Sequence, residues 1–259
     1  MFQKGLFKPK ELNLEGRRTM MQECEPQITV TNIVGNGENA ITVDLGIVDP
    51  TIVILYATPP LINKTYPTGT SPYKRMLLLI DKNVSENRIL YCNNRNSSTL
   101  GYLSSSTSNL IGYQNKILTV GVDPILISNY EYKVIAIKSD SNLSDKYSVT
   151  DIVGNGQTTI NVDLKIDNPS IIVCYAKTPL SSGNFPNQDN GERLFALSDN
   201  LLSNTHHYYI NTASSTARGN YLYSSINPII GYSNGELSIS VTSTIIFRNN
   251  YPYRIIAIK

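Results

Sequence analysis

The sequence predicts an all-β protein: two tandem, repeated β-sandwich domains, immunoglobulin-like or jelly-roll-like, behind an extended N-terminal arm. Three observations predict it. The 259 residues include 17 Tyr, 4 Met and no Trp, with abundant Ile, Val, Thr, Ser and Asn, a bias toward strands and turns. Short segments alternate apolar and polar residues at period two, separated by Asn, Asp, Gly and Pro clusters. Finally, the stretch from Val30 to Leu61 matches that from Val149 to Leu180 without a gap, with identity at more than half the positions. Hydrophobic residues at 41% and charged residues at 16% suit packed cores rather than a disordered chain.

Residues 1–27 form the arm. It carries Lys4, Lys8, Lys10, Arg17 and Arg18 beside Phe2, Leu6, Phe7, Leu12 and Leu14, and has no counterpart before the second copy. A segment of this kind orders itself where a partner surface compensates the entropy cost, so Phe2, Lys4, Leu6, Phe7, Lys8, Lys10, Arg17 and Arg18 are the candidate partner-binding residues.

The first repeat spans 28–138. Ile28 to Val34 and Ile41 to Leu45 alternate, as half-buried antiparallel strands do, and Thr51 to Ala57 is a continuous apolar run suited to a central strand. Further strands are expected at Arg75–Ile80, Arg88–Asn93, Ile117–Val122 and Glu131–Lys138. Residues 139–146 are a polar linker short enough to suggest a semi-rigid rod. The second repeat, 147–259, closes on Tyr253 to Lys259, matching Tyr132 to Lys138.

Several motifs invite a chemical reading. Gly35-Asn36-Gly37 fits the start of a dinucleotide-binding fingerprint, but that fingerprint needs a helix to begin at the glycines, and an alternating strand follows instead. Asn-Gly between alternating runs signals a tight hairpin with positive φ, so Gly35, Asn36 and Gly37, with Gly154, Asn155 and Gly156, are expected to be structural hairpin turns. His206 and His207 are adjacent, which in a strand sends them to opposite faces, so they do not ligate one metal together. Cys92 and Cys174 read as small core residues, and the three cysteines make no paired framework.

Asp44/Asp163 and Asp81/Asp199 recur in both copies and read as structural, the first pair in a strand and the second opening a turn. Tyr91, Tyr102, Tyr113, Tyr130 and Tyr132 match Tyr209, Tyr221, Tyr232, Tyr251 and Tyr253 as core or corner residues, and an exposed subset would suit a glycan or a protein partner. No catalytic, cofactor or metal residues are assigned, and the protein reads as a non-enzyme.

A net charge of +2 is too small for the basic footprint of nucleic-acid binding, and no apolar stretch is long enough for a signal-peptide core or a membrane-spanning helix. In its tandem-sandwich architecture and its Asn/Ile/Tyr/Lys-rich character the chain resembles accessory structural proteins of tailed-bacteriophage virions, which decorate the capsid, neck or tail. The resemblance implies a virion protein made in a host cytoplasm, with other structural subunits as partners and no cofactor. The alternative expectation is a carbohydrate-binding or adhesin module that recognises a cell-surface glycan through Tyr-bearing loops.

Overall fold

The computed structural model describes residues 28–58, 77–82, 88–92, 111–120, 126, 128–138, 145–177, 195–202, 206–210, 230–239 and 247–259. The described residues are all-β. In the first half the strands are β1 (Ile28–Val34), β2 (Ala40–Thr42), β3 (Ile52–Ala57), β4 (Leu77–Asp81), β5 (Arg88–Cys92), β6 (Ile111–Gln114), β7 (Ile117–Val120) and β8 (Glu131–Ile137). The second half repeats them as β9 (Tyr147–Val153), β10 (Thr159–Asn161), β11 (Ile171–Ala176), β12 (Phe195–Asp199), β13 (His206–Ile210), β14 (Ile230–Ser233), β15 (Glu236–Ile239) and β16 (Pro252–Ile258).

Each half folds into a five-stranded and a three-stranded antiparallel sheet. The orders are β1-β8-β3-β4-β5 with β2-β7-β6, and β9-β16-β11-β12-β13 with β10-β15-β14. First pairs with last and second with next to last, a nested order closer to a jelly roll than to the immunoglobulin sandwich. Ile33, Leu55 and Val134 from the large sheet meet Ile111 and Leu118 from the small one in the first interior. Ile172, Cys174 and Ile255 meet Ile230 and Leu237 in the second.

The turn at Gly35–Gly37 is not the expected hairpin. β1 pairs with β8 and β2 with β7, so the turn carries the chain from one sheet to the other. Asn36 closes it as an Asx-turn: its Oδ1 accepts from Glu38 N at 3.0 Å and its Nδ2 donates to Ala40 O at 2.8 Å. A two-residue hairpin of type I′ needs two consecutive residues at positive φ, and here only Gly37 has it, at 87°. Gly35 N and Gly37 N donate instead to Tyr130 O and Leu126 O. Gly154–Gly156 makes the same crossover, with Gly156 at 81° and Gly154 N and Gly156 N bonded to Tyr251 O and Phe247 O.

The type I′ geometry stands elsewhere, at Asn115-Lys116 between β6 and β7 and at Asn234-Gly235 between β14 and β15, where both central residues have positive φ. Asp44 also departs from expectation. β2 ends at Thr42, and the Asp44 carboxylate accepts from Gly46 N in an exposed Asx-turn.

The two large sheets pack on each other. Ile52, Ile54, Tyr56, Leu79, Ile135 and Ile137 of the first half form one buried cluster with Ile171, Val173, Tyr175, Leu197, Ile256 and Ile258 of the second. β3 and β11 are therefore buried on both faces along their whole length. A strand with one face in its own sandwich and the other in a shared seam must be apolar at every position, which is why both read as continuous apolar runs. The semi-rigid rod of separate sandwiches suggested by the linker is replaced by two sandwiches fused through their large sheets.

Candidate functional site

The seam contains the only buried charged side chains among the described residues: Asp81, Lys133, Asp199 and Arg254. β8 places Lys133 and β16 places Arg254 at equivalent points of an otherwise apolar run, while Asp81 and Asp199 end β4 and β12. Their bonds cross the seam reciprocally. Asp199 accepts from Tyr56 Oη at 2.8 Å and from Lys133 Nζ at 2.5 Å, both of the first half. Asp81 accepts from Tyr175 Oη at 2.5 Å and from Arg254 Nη1 at 2.7 Å, both of the second. Each half thus gives one carboxylate and receives on it one phenol and one cation, so no buried charge is left without an opposite one.

The second triad is extended. Asp151, cross-strand from Arg254, binds its Nε at 2.7 Å and Nη2 at 3.0 Å and also accepts from Lys177 at 2.6 Å. Burial pushes Asp151 upward, but the bonds from Arg254 and Lys177 outweigh it and hold the carboxyl below its ordinary range. Burial likewise works against the charge on Arg254, and Asp151 and Asp81 more than restore it. Tyr175 is held well above the usual phenol range, first by burial and then by the Asp81 charge, so it stays a donor. Asn32 occupies the first-half position of Asp151 and faces Lys133 across the ladder.

The halves also carry equivalent clefts at the open edges of their small sheets. The first, about 1070 Å³, is bordered by Asp44, Asp49, Lys82, Tyr113, Gln114 and Lys116. Two exposed ion pairs stand on it, Lys82 with Asp49 and Lys116 with Asp44. The second, about 510 Å³, is bordered by Asn168, Ser170, Asn200, Tyr232, Ser233 and Glu236. Same place, different chemistry: the first rim is charged, the second mostly amide and hydroxyl.

The recurrent tyrosines are structural where they are described. Tyr113 Oη accepts from Leu45 N at 3.0 Å and donates to Val43 O at 3.1 Å, and Tyr232 repeats this with Leu164 N at 3.2 Å and Val162 O at 3.1 Å. Tyr132 and Tyr253 are buried, and Tyr253 Oη accepts from Arg248 N. Cys174 lies in the second interior, where burial raises its thiol far above the ordinary range and keeps it un-ionised. His206 and His207 sit in β13 opposite Asp199 and Ser198. Among the described residues no cluster of His, Cys, Asp or Glu has the make-up of a metal site.

The arm residues Phe2, Lys4, Leu6, Phe7, Lys8, Lys10, Arg17 and Arg18, like Tyr102 and Tyr221, lie outside the described residues. Sequence reasoning assigned Asp81 and Asp199 to turns. Asp199 does accept from Leu201 N at 3.0 Å, but the ion pair was missed. Its signal was present in the sequence as a cation inside an apolar run, at the same place in both copies, beside a recurrent aspartate.

No protein-family model, curated protein or solved structure matches the chain.

Proposed function

We propose that the chain is a non-enzymatic structural protein that enters a larger assembly through its N-terminal arm, as an auxiliary of the capsid, neck or tail of a tailed-phage virion. The observation that carries this reading is the seam. It locks two copies of one sandwich into a single body, and Asp81, Asp199, Tyr56 and Tyr175, which recur in both copies, are engaged in holding that body together. Asp81 and Asp199 neutralise the buried cations of the seam, and Tyr113 and Tyr232 tie the loops after β2 and β10 to the neighbouring hairpins. A rigid body of this kind suits spacing and holding partners, while an arm rich in both apolar and basic residues suits a grooved, acidic surface on a neighbouring subunit. Deleting residues 1–26 is expected to leave thermal melting unchanged and to abolish incorporation into the particle. Incorporation at normal occupancy without the arm would overturn the proposal.

The clefts favour glycan binding as the second reading, because amides and hydroxyls flank a tyrosine in both. Tyr113 is a poor test of it, since its hydroxyl serves the backbone. Polysaccharide binding lost on Gln114→Ala together with Ser233→Ala, with melting unaltered, would favour this reading over the first.

A further inference from the structure

The seam is built from the same elements on both sides, and this has a consequence for what else can dock there. We infer that the large-sheet face of each repeat is a self-complementary recognition surface, and that its partner beyond this chain is a second copy of the same repeat, presented by a second copy of this chain. Three observations carry the inference. The contacts are reciprocal: Tyr56 and Lys133 reach Asp199, while Tyr175 and Arg254 reach Asp81. An interface in which i meets j and j meets i is isologous, the geometry of a two-fold homodimer, here made within one chain.

Secondly, the polar groups do not distinguish one repeat from the other. Two first repeats would set Tyr56 and Lys133 of each against Asp81 of the other. Two second repeats would set Tyr175 and Arg254 against Asp199. In every combination one carboxylate receives one phenol and one cation, so no pairing leaves a buried charge uncompensated. As far as the polar groups go, selection of first with second rests on the tether, which raises their effective concentration.

Thirdly, the centre of the apolar seam is nearly the same in the two repeats. In β3, β4 and β8 only Ile54 against Val173 differs, while on the outer strands Ile28 of β1 stands where β9 has the buried Tyr147. In the interiors Val53 has become Ile172, Leu55 Cys174 and Leu126 Phe247. An interior needs only to fit itself, whereas a self-complementary face is constrained by its copy.

A seam of this kind allows exchange, in which the first half of one chain closes on the second half of another. The test uses two full-length variants refolded separately and together. Lys133→Asp sets a carboxylate against Asp199 within its own chain, and Asp199→Lys sets an ammonium against Lys133. Lys133→Asp leaves Arg254 and Asp199 intact, so two of its second halves can still pair, and Asp199→Lys leaves Lys133 and Asp81 intact, so two of its first halves can. The expected result is a mass by light scattering of twice the chain for each variant alone as well as for the mixture. Variants that stay monomeric or unfolded alone would overturn the inference, even where mixing rescues them, because exchange of first with second halves needs no self-complementarity.

A second measurement needs no charge change: the wild-type chain is given a protease site within residues 139–146 and cut. Native mass spectrometry after incubation in mild denaturant is expected to find first–first and second–second pairs beside the original pair. Persistence of first–second pairs alone, or dissociation into single halves, would contradict self-complementarity.

Discussion

The seam and the sandwich interiors bury similar apolar side chains but solve different problems. Each interior closes one sheet on another within a repeat and is almost wholly apolar, with Tyr113 and Tyr232 spending their hydroxyls on nearby backbone. The seam joins two repeats and places four charges in an apolar surrounding. Apolar packing supplies attraction without direction. Two sheet faces covered in Ile, Leu and Val could slide or rotate against each other, and a carboxylate that must meet a phenol and a cation across the gap allows few positions. The interiors thus account for the folding of each copy, while the triads account for where one copy sits on the other.

The largest expected effect comes from breaking one triad on a single side. Asp199→Ala leaves Lys133 buried without its carboxylate and is expected to cost about 3–5 kcal/mol in urea unfolding. Replacing the whole triad by apolar residues, with Tyr56→Phe, Lys133→Met and Asp199→Leu together, should be close to neutral or stabilising. If the triad supplied net stability rather than position, the triple variant would lose as much as the single one.

Next in size is an interior truncation. Leu118→Ala removes a buried side chain of the first sandwich and is expected to cost about 2–5 kcal/mol. Because the halves share the seam, hydrogen exchange should rise in β11 and β16 as well as in β3 and β8. Exchange confined to the first half would show that the seam transmits nothing.

Tyr113→Phe removes two hydrogen bonds to the backbone at Val43 and Leu45 and is expected to cost about 1–3 kcal/mol. Urea unfolding measures it, and Tyr232→Phe should match.

Acid gives the smallest effect. Asp151 has a folded-state pKa below that of the unfolded chain, so its contribution is present above the unfolded value and is lost as pH falls through the folded one. As pH falls below about 4 the wild-type Tm should therefore fall more than that of Asp151→Asn. Equal slopes would mean that Arg254 and Lys177 do not favour the ionised carboxylate.

Much of this fold is legible in the sequence because the strongest signals are local. The repeat, the alternation of Ile28 to Val34 and the apolar run into Ala57 depend on strand geometry alone. The hairpin at Gly35–Gly37 was misplaced because Asn-Gly marks a turn without saying which strands it joins. Asn36 closes that turn, yet the backbone bonds go to residues 126–130, far away in sequence. Of the two hairpins with type I′ geometry only Asn234-Gly235 carries the Asn-Gly signal, because its counterpart Asn115-Lys116 puts a lysine at positive φ. The seam was half legible. A two-sheet sandwich leaves the outer face of its large sheet to solvent, so the unbroken apolar run in β3 and the run that follows Lys133 in β8 called for a second layer, and Lys133 marked where its polar contact falls.

Lys133 of the first half and Asp199 of the second act on each other across the seam. A double-mutant cycle with Lys133→Ala, Asp199→Ala and both together, followed by urea unfolding of the full chain, tests it most directly. The double variant is expected to be more stable than the sum of the single losses implies, with a coupling of about 1–3 kcal/mol. Losses that add to within about 0.5 kcal/mol would mean that the two side chains do not meet, and that the halves are not joined in this way.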